Sequence, residues 1–247
     1  MDFHVHNPAL LAVGLYDGTV MVFDIRIKGN NKPIYASTIR TSKHTDPVWE
    51  IRWNPDITVK NLNFFSIASD GRVTNWSLMK NKLEAEEVVK LRLVVDENRG
   101  LSDNKKEAFL YGLAGGMSFD FNEYKTDEFL VGTEEGKIHL CSKAYAGQYL
   151  ETYDGHYLAV YAVRWNKFHP KIFLSCSADW TVKMWNRDVK RALMTFDMGC
   201  AVGDIAWAPY SSTVFSAVTS LGMLYVWDLN QDKHTYLCEH PAMKKAK

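Results

Sequence analysis

A pattern that recurs along the chain constrains the fold more strongly than any other feature of this sequence. Residues 66–76 read SIASDGRVTNW and residues 175–185 read SCSADWTVKMW, each with a serine, an aspartate four residues later and a tryptophan six residues after that. Three further segments keep this frame with substitutions: AVGLYDGTVMVF at 12–23, LVGTEEGKIHLC at 130–141 and AVTSLGMLYVW at 217–227. A unit that recurs along a chain indicates an array of similar structural modules, and such arrays usually offer surfaces to partners.

Each unit reads as an antiparallel β-meander. In the run VWEIRW, apolar and polar residues alternate, which predicts a strand with Trp49, Ile51 and Trp53 on one face. A second apolar run, FFSIAS, follows and ends in the pair Asp70-Gly71, which is a strong hairpin signal. A third strand then completes the repeated pattern.

Several of these strands carry apolar residues on both faces, so both faces must be covered. Radial stacking of small sheets in a β-propeller does this and leaves few exposed edges. A β-sandwich does not need the same spacing in every unit, and the period of two excludes a helical repeat. We therefore predict an all-β propeller with about five blades in this sequence. The expected blades cover residues 1–40, 41–95, 112–152, 153–196 and 197–240, with an insertion at 96–111.

The segment before the insertion permits two interpretations. Val89, Leu91, Leu93 and Val95 alternate with basic residues, which predicts an outer strand, but the preceding LEAEE is also compatible with the start of a short helix. The insertion itself is polar and reads as a loop, which is either functional or neutral.

Composition and charge exclude several classes of protein. Of the 247 residues, 47% are hydrophobic, and 29 basic residues balance 29 acidic ones. This balance removes the electrostatic footprint expected for binding to nucleic acid or to an anionic membrane. No apolar run approaches the roughly 20 residues that span a bilayer, and the N-terminus does not read as a secretory signal. We expect a soluble intracellular protein with buried, reduced thiols, because no CxxC pair occurs among Cys141, Cys176, Cys200 and Cys238.

Two units resemble WD40 repeats, which place a histidine before the first strand and a serine, an aspartate and a tryptophan along the hairpin that follows. The matching residues are His44, Ser66, Asp70 and Trp76 in one unit and His156, Ser175, Asp179 and Trp185 in the other. The resemblance implies a WD40 β-propeller with two buried tetrads, in which the five units are an incomplete part of a seven-bladed ring. In each tetrad, the aspartate accepts a hydrogen bond from the histidine, and the serine links the histidine to the indole. Such a chain satisfies polar groups that would be costly to bury unpaired.

The other three units depart from this pattern, and we expect their blades to rely on packing alone and to be individually weaker. One unit keeps the aspartate but ends in phenylalanine, one has glutamate and cysteine at these positions, and one has leucine before its tryptophan. These residues are Asp17 and Phe23, Glu135 and Cys141, and Leu221 and Trp227.

The units also resemble a narrower family, the WD40-repeat dynein intermediate chains, and most closely their axonemal outer-arm branch. The resemblance rests on KHTDPVWEIRWNP, NLNFFSIASDGRVTNWSL, FLVGTEEGKIHLCSK, SCSADWTVKMW and AVGDIAWAPYSSTVFSAVT, and it runs from about residue 8 to about residue 240. It implies a non-catalytic subunit in the axoneme of a cilium or flagellum. Such a subunit binds the tail of a dynein heavy chain beside a second intermediate chain and helps to anchor the motor to doublet microtubules. The family's N-terminal light-chain-binding region has no counterpart in this sequence, so the resemblance does not extend to light-chain binding.

Two other functions stay open. A cytoplasmic dynein intermediate chain, or another intracellular WD40 scaffold, would share most of these features. A propeller enzyme would need polar residues or metal ligands that converge on the central channel. His4 and His6 share one face of a predicted strand and His169 precedes Pro170, but no acidic residues stand at metal-ligand spacing. We expect no metal site and no cofactor.

Two further patterns bear a partial likeness to a catalytic site and to a phosphate-binding site. Ser66 and Ser175 have histidine and aspartate partners, but the resemblance assigns them to the tetrads and not to a nucleophilic triad. The glycine-rich run at 112–116 lacks the strand–GxxxxGK[ST]–helix frame of a phosphate-binding loop, so it reads as a strand bend. We expect no catalytic residue.

Trp180 is the candidate contact for a partner. It stands in a turn where the equivalent residue after Asp70 is Gly71. Tryptophan is enriched in binding hot spots, so an exposed ring there would suit a protein partner. The alternative is local packing of the ring over a neighbouring blade.

Overall fold

The computed structural model of the chain describes residues 1–26, 32–56, 62–80, 82–93, 112–145 and 148–242. Within these residues the strands form five four-stranded antiparallel sheets, each connected in the order of the sequence. A single turn of 3-10 helix, Ile39–Thr41, is found beside them, and no helix in this described part is long and apolar enough to cross a membrane. These sheets confirm the predicted all-β fold class, and each has the four-stranded antiparallel order of a propeller blade.

The first of two compact units comprises residues 1–116 and 143–148. Its first sheet contains β1 (Asp2–Phe3), β2 (Leu10–Gly14), β3 (Val20–Asp24) and β4 (Tyr35–Ala36), and its second contains β5 (Val48–Trp53), β6 (Asn63–Ala68), β7 (Arg72–Leu78) and β8 (Leu83–Lys90). Side chains of both sheets, including Leu10, Val22 and Phe64, share one buried core. The fit is close, since a Cβ on Gly14 would lie 2.5 Å from the side chain of Val48.

The second unit comprises residues 117–142 and 149–247 and contains most of the third sheet and all of the fourth and fifth. Their strands are β9 (Gly116–Phe121), β10 (Glu128–Thr133), β11 (Lys137–Ser142) and β12 (Glu151–Asp154), then β13 (Val160–Trp165), β14 (Ile172–Ser177), β15 (Thr181–Asn186) and β16 (Met194–Asp197), then β17 (Val202–Trp207), β18 (Val214–Thr219), β19 (Met223–Asp228) and β20 (Cys238–Pro241). A phenylalanine stacks on the tryptophan of the next strand in two of these sheets: Phe173 on Trp185, and Phe215 on Trp227.

The prediction that Trp49, Ile51 and Trp53 share one face is wrong for Trp49. The pairing of β5 with β6 shifts register just after Val48, so a β-bulge interrupts the period of two. Val48 is buried with Ile51 and Trp53, whereas Trp49 is 48% exposed and its Nε1 donates to Ser69 Oγ at 2.6 Å. The corresponding strands β13 and β17 shift register at the same point.

The segment before the predicted insertion forms strand β8, which pairs with β7, so the helical interpretation of LEAEE is wrong. A register shift places Val89 opposite Val73 and Glu87 opposite Thr74. Val88 is therefore the extra residue of a bulge, and both Val88 and Val89 are buried. The insertion at 96–111, together with Val95, lies outside the described residues.

The expectation of four buried cysteines is half wrong. Cys141 and Cys176 are buried, whereas Cys200 is partly exposed and Cys238 is exposed. Cys238 lies on β20, where all four residues are exposed, and burial was inferred from the strand pattern alone. Burial raises the pKa of the Cys141 thiol far above its usual range and that of Cys176 to about 12, so both are inert at neutral pH.

Candidate functional site

The histidine, serine, aspartate and tryptophan of the fourth blade form one hydrogen-bonded chain. Trp185 Nε1 donates to Ser175 Oγ at 2.8 Å, and this oxygen lies 2.7 Å from His156 Nε2. His156 Nδ1 lies 2.9 Å from Asp179 Oδ2. A carboxylate only accepts, so Nδ1 carries a proton and donates to Asp179, and in this tautomer the serine hydroxyl donates to Nε2. Strands β14 and β15 and the linker before β13 are joined by this chain.

The second blade has the same arrangement. Trp76 Nε1 donates to Ser66 Oγ at 2.7 Å, and His44 Nε2 lies 2.7 Å from the same oxygen. His44 Nδ1 lies 3.0 Å from Asp70 Oδ2. The structure thus brings together all four residues of each tetrad, in two different sheets.

Each aspartate has a further partner that the sequence reasoning missed. Arg72 Nη2 donates to Asp70 Oδ2 at 2.6 Å, and Thr181 Oγ1 donates to Asp179 Oδ1 at 2.7 Å. Both partners are polar residues two positions after the aspartate, which is a signal that the sequence contains. They extend each tetrad across the hairpin turn.

Both aspartates are held in the ionised form. Burial alone would raise the pKa of Asp70, but hydrogen bonds from His44 and Arg72 outweigh burial and hold that pKa well below its usual range. Burial likewise opposes ionisation of Asp179, and hydrogen bonds from His156 and Thr181 lower its pKa in spite of this. A charged acceptor makes these hydrogen bonds stronger than neutral ones.

A hydrolytic triad also links a serine, a histidine and an aspartate in this order, but the serine oxygens of the tetrads are not accessible to a substrate. Ser66 and Ser175 are fully buried, and each oxygen already accepts the indole hydrogen bond. A nucleophile needs a substrate carbonyl within reach of its oxygen, with the oxygen free to attack. In both blades the tetrad instead holds the hairpin to the linker that precedes the blade.

The third and fifth blades close their hairpins with a threonine. Thr133 Oγ1 donates to the Lys137 carbonyl at 3.1 Å and accepts from the Lys137 amide at 3.2 Å. Thr219 Oγ1 makes the same pair of contacts with Met223 at 3.3 and 3.4 Å. The expectation that these blades rely on packing alone is therefore wrong. In both, threonine ends the second strand just before the turn, a signal that the sequence analysis overlooked.

The tryptophan of the fifth blade lacks a polar link. Ala217 stands ten residues before Trp227, where the tetrads have serine. Trp227 Nε1 is buried and has no hydrogen-bond partner in the described part of the chain. The indole keeps its stacking on Phe215, with 5.1 Å between the ring centroids, so this blade retains the packing of a tetrad blade without its hydrogen bonds.

The remaining histidine candidates make local contacts. His4 and His6 follow β1 in a turn and not on a strand, and His4 Nδ1 accepts from the amides of His6 and Asn7. Burial, and then the charge of His6, lower the pKa of His4. His169 Nδ1 accepts from the amide of Lys171 at 3.2 Å. Across the described ranges, no group of three or more His, Cys, Asp and Glu side chains is placed to hold a metal ion.

The glycine-rich run at 112–116 forms a short antiparallel bridge. Leu113 pairs with Arg92, and the Ala114 amide donates to the Leu91 carbonyl at 2.9 Å. These backbone groups are used within the protein, so the run does not form an open cradle for a phosphate.

Trp180 occupies an unusual position among the turns that join the second and third strands. Its φ is 73°, and its side chain is 55% exposed. The other four turns have a glycine at this point, with φ between 71° and 87°: Gly18, Gly71, Gly136 and Gly222. Left-handed backbone costs a residue with a Cβ about 1–2 kcal/mol, and such outliers persist where the surrounding structure enforces them.

These turns lie at the same end of the blades as the linkers that precede the first strands. The Ala178 amide donates to the Ala159 carbonyl at 3.0 Å, and the Ser220 amide donates to the Ala201 carbonyl at 2.8 Å. In the fourth and fifth blades the turn and the linker therefore lie side by side.

The sequence is similar to one protein family and to several dynein intermediate chains. The family "WD domain, G-beta repeat" matches residues 147–186. Over 100% of its length, the chain is 50% identical to "Dynein intermediate chain 2, ciliary" of Heliocidaris crassispina, 48% identical to "Dynein, 78 kDa intermediate chain, flagellar outer arm" of Chlamydomonas reinhardtii, and 46% identical to "Dynein axonemal intermediate chain 1" of Bos taurus. It covers 35%, 36% and 34% of these proteins, so it spans about a third of their length.

A solved structure resembles the fold. The crystal structure of the computationally designed Ika8 protein superposes with a TM-score of 0.62, over 95% of this chain and 59% of that one. The sequence identity is 21%, so the likeness concerns the fold alone.

Proposed function

Because this chain is related along its whole length to the WD40-repeat dynein intermediate chain family, we propose that it is a non-catalytic scaffold subunit of an axonemal outer-arm dynein. In this role it binds the tail of a dynein heavy chain beside a second intermediate chain, and it supports arm assembly and beating in a cilium or flagellum. Contact with the doublet microtubule is made through the complex, and light chains are not assigned to this segment.

The observation that carries the proposal is the identity to relatives whose names place them in cilia, flagellar outer arms and axonemes. This identity is 46–50% and extends over the full chain. It favours the axonemal role over a cytoplasmic dynein intermediate chain, because the three names say ciliary, flagellar outer arm and axonemal. Fold alone would not decide between them, since one fold serves many functions.

The chemistry of the blades supports a scaffold. The polar residues that most resemble catalytic groups are buried and bonded to one another in the tetrads. Exposed turns and linkers are left to make contacts, as in other arrays that present extended surfaces. A propeller enzyme would need reactive groups on an accessible surface.

The proposal is tested by expressing the tagged chain in ciliated cells of its own organism, extracting the dynein arms and separating them by sedimentation. We expect the chain to sediment with outer-arm heavy chains and to decorate the axoneme along its length. The same tag on an unrelated propeller is the control. Recovery with cytoplasmic dynein in the cell body would support the alternative instead, and recovery with neither motor would contradict both.

A further inference from the structure

The starting observation is the strained turn of the fourth blade. Trp180 has a φ of 73°, in a position where the four equivalent turns have glycine. Burial of its ring does not offset this backbone strain, because more than half of the side chain is exposed. A bulky residue at positive φ is an outlier, and a strained, exposed tryptophan points to a role outside the blade.

Three other apolar side chains lie along the same edge of the second unit. Tyr157 is 88% exposed, Leu158 is 52% exposed and Leu221 is 75% exposed. We call these residues and Trp180 the Trp180 strip. Scattered exposed apolar residues are ordinary, but a cluster on one edge marks an interaction surface.

Backbone hydrogen bonds connect the turns and linkers of the Trp180 strip. The Tyr157 amide donates to Asp179 Oδ2 at 3.2 Å, which places the linker beside the turn that contains Trp180. The Trp180 carbonyl accepts from the Met198 amide at 2.9 Å, and three residues later the Ala201 carbonyl accepts from Ser220, the neighbour of Leu221, at 2.8 Å. The strip therefore continues from the fourth blade to the fifth.

The border of the Trp180 strip is acidic. Glu134 in a turn, and Asp154 and Asp197 at the ends of β12 and β16, are exposed beside these turns and linkers. Lys137, at the start of β11, pairs with Asp154. The turn that contains Glu134 touches the strip, because a Cβ on Gly136 would lie 3.1 Å from the Leu158 carbonyl. Apolar anchors inside an acidic border favour a partner that is apolar and basic.

The base of the Trp180 strip is rigid. Asp179 is held by His156, by Thr181 and by the Tyr157 amide, so the turn on either side of the ring is fixed before any partner arrives. A surface that is ordered in advance loses less conformational entropy on binding.

We propose that the Trp180 strip is the docking surface for a polypeptide segment of another protein, whose apolar side chains pack on Trp180 and Leu221 and whose Lys or Arg side chains face Glu134 and Asp197. The inference goes beyond the proposed function, because it assigns the surface and the chemistry of its occupant without depending on which motor supplies that segment. It can therefore fail while the dynein assignment stands.

The test is titration of the purified chain with two synthetic amphipathic peptides, one of leucine and lysine and one of leucine and glutamate in the same pattern. We expect the Leu–Lys peptide to bind at least about tenfold more tightly. This preference falls when salt rises from about 0.1 M to about 1 M, because the Debye length shrinks from about 10 Å to about 3 Å. Hydrogen exchange should slow at residues 156–158, 179–181 and 220–222 when the Leu–Lys peptide is bound.

Trp180→Gly is the decisive variant, since it installs the residue of the other turns. We expect binding of the Leu–Lys peptide to weaken about tenfold or more, while the melting temperature stays level or rises. Leu221→Ser should weaken binding as well, and Glu134→Lys should shift preference toward the Leu–Glu peptide, a change that misfolding does not produce. Tyr210→Ser is the matched control, because Tyr210 is 80% exposed in the loop at the opposite end of β18.

Several outcomes would overturn the proposal. Equal binding of both peptides, protection elsewhere on the chain, or unchanged binding by Trp180→Gly with a lower melting temperature would assign the ring to packing. Self-association that Trp180→Gly abolishes would make a second copy the occupant. If the intact chain binds neither peptide and removal of residues 243–247 restores binding, then the basic end of this chain is the occupant.

Discussion

Replacement of Ser175 by alanine tests whether the tetrads stabilise the blades as the geometry indicates. Ser175 Oγ joins Trp185 Nε1 at 2.8 Å to His156 Nε2 at 2.7 Å, and all three side chains are buried. Alanine removes one oxygen and leaves two buried polar groups without a partner. Each such group costs about 1–3 kcal/mol, and partial relaxation of the site brings the expected loss to about 3 kcal/mol.

Thermal unfolding followed by circular dichroism measures this loss. In a domain of this size, 1 kcal/mol corresponds to about 2–4 °C, so the melting temperature should fall by about 6–12 °C. Ser216→Ala is the control, because Ser216 is half-buried on β18 outside any tetrad. Its melting temperature should change by less than about 2 °C, since replacements away from such networks have small effects.

A double-mutant cycle makes the test sharper. Trp185→Phe removes the indole N–H, so it should cost less in the Ser175→Ala background than in the original chain, with a coupling of about 1–2 kcal/mol. If Ser175→Ala lowers stability no more than Ser216→Ala does, or if the two replacements are additive, the hydrogen-bonded chain does not carry the stability that we assign to it.

Three further predictions follow from the irregular blades and the buried titratable groups. Ala217→Ser should raise the free energy of unfolding by about 1 kcal/mol, because the hydroxyl would accept from the buried Trp227 Nε1; a loss in urea unfolding would show that the site has no room for it. Burial, and then the charge of Lys137, lower the pKa of His139 to about 4. In the unfolded chain histidines titrate near pH 6.5, so as pH falls the unfolded chain binds this proton before the folded chain does. Between pH 7 and 5 the free energy of unfolding of the original chain should therefore fall by about 2 kcal/mol more than that of His139→Phe. Equal falls in the two proteins would contradict this. A thiol reagent should modify Cys238 rapidly and Cys141 and Cys176 only on unfolding, and mass spectrometry of the labelled peptides would expose the opposite order.

Much of the fold could be predicted from residues whose chemistry repeats. The hairpins of the two regular units could be predicted because an aspartate at the turn, followed by glycine in one unit, and apolar alternation on either side are local signals. His44 is 22 residues from Ser66 along the chain, and the pattern of the family was needed to place the two together. Patterns within a few neighbouring residues do not predict the contact between His44 and Ser66.

The wrong predictions of which strand side chains are buried share one physical cause, which is a shift in the register of the strands. The bulge in β5 turns Trp49 out to solvent, and the bulge in β8 buries Val88 beside Val89. A one-residue irregularity reverses every facing assignment before or after it, and alternation in a single sequence does not mark where it falls. Thr133 was overlooked for a different reason, since its hydrogen bonds to Lys137 close a turn without resembling the aspartate that does so in other blades.

The glycines of the turns have a consequence for cooperativity. A Cβ on Gly18 would lie 2.2 Å from the His44 carbonyl, and one on Gly136 would lie 2.5 Å from the His156 carbonyl. Each of these carbonyls belongs to the linker that leads into the next blade. The stability of a repeat array is approximately the sum of the stability of each repeat and of the contacts between adjacent repeats. Gly18 and Gly136 contribute to the contacts between adjacent blades. We expect a side chain there to leave each blade able to form but to weaken its coupling to the next blade, so that unfolding becomes less cooperative.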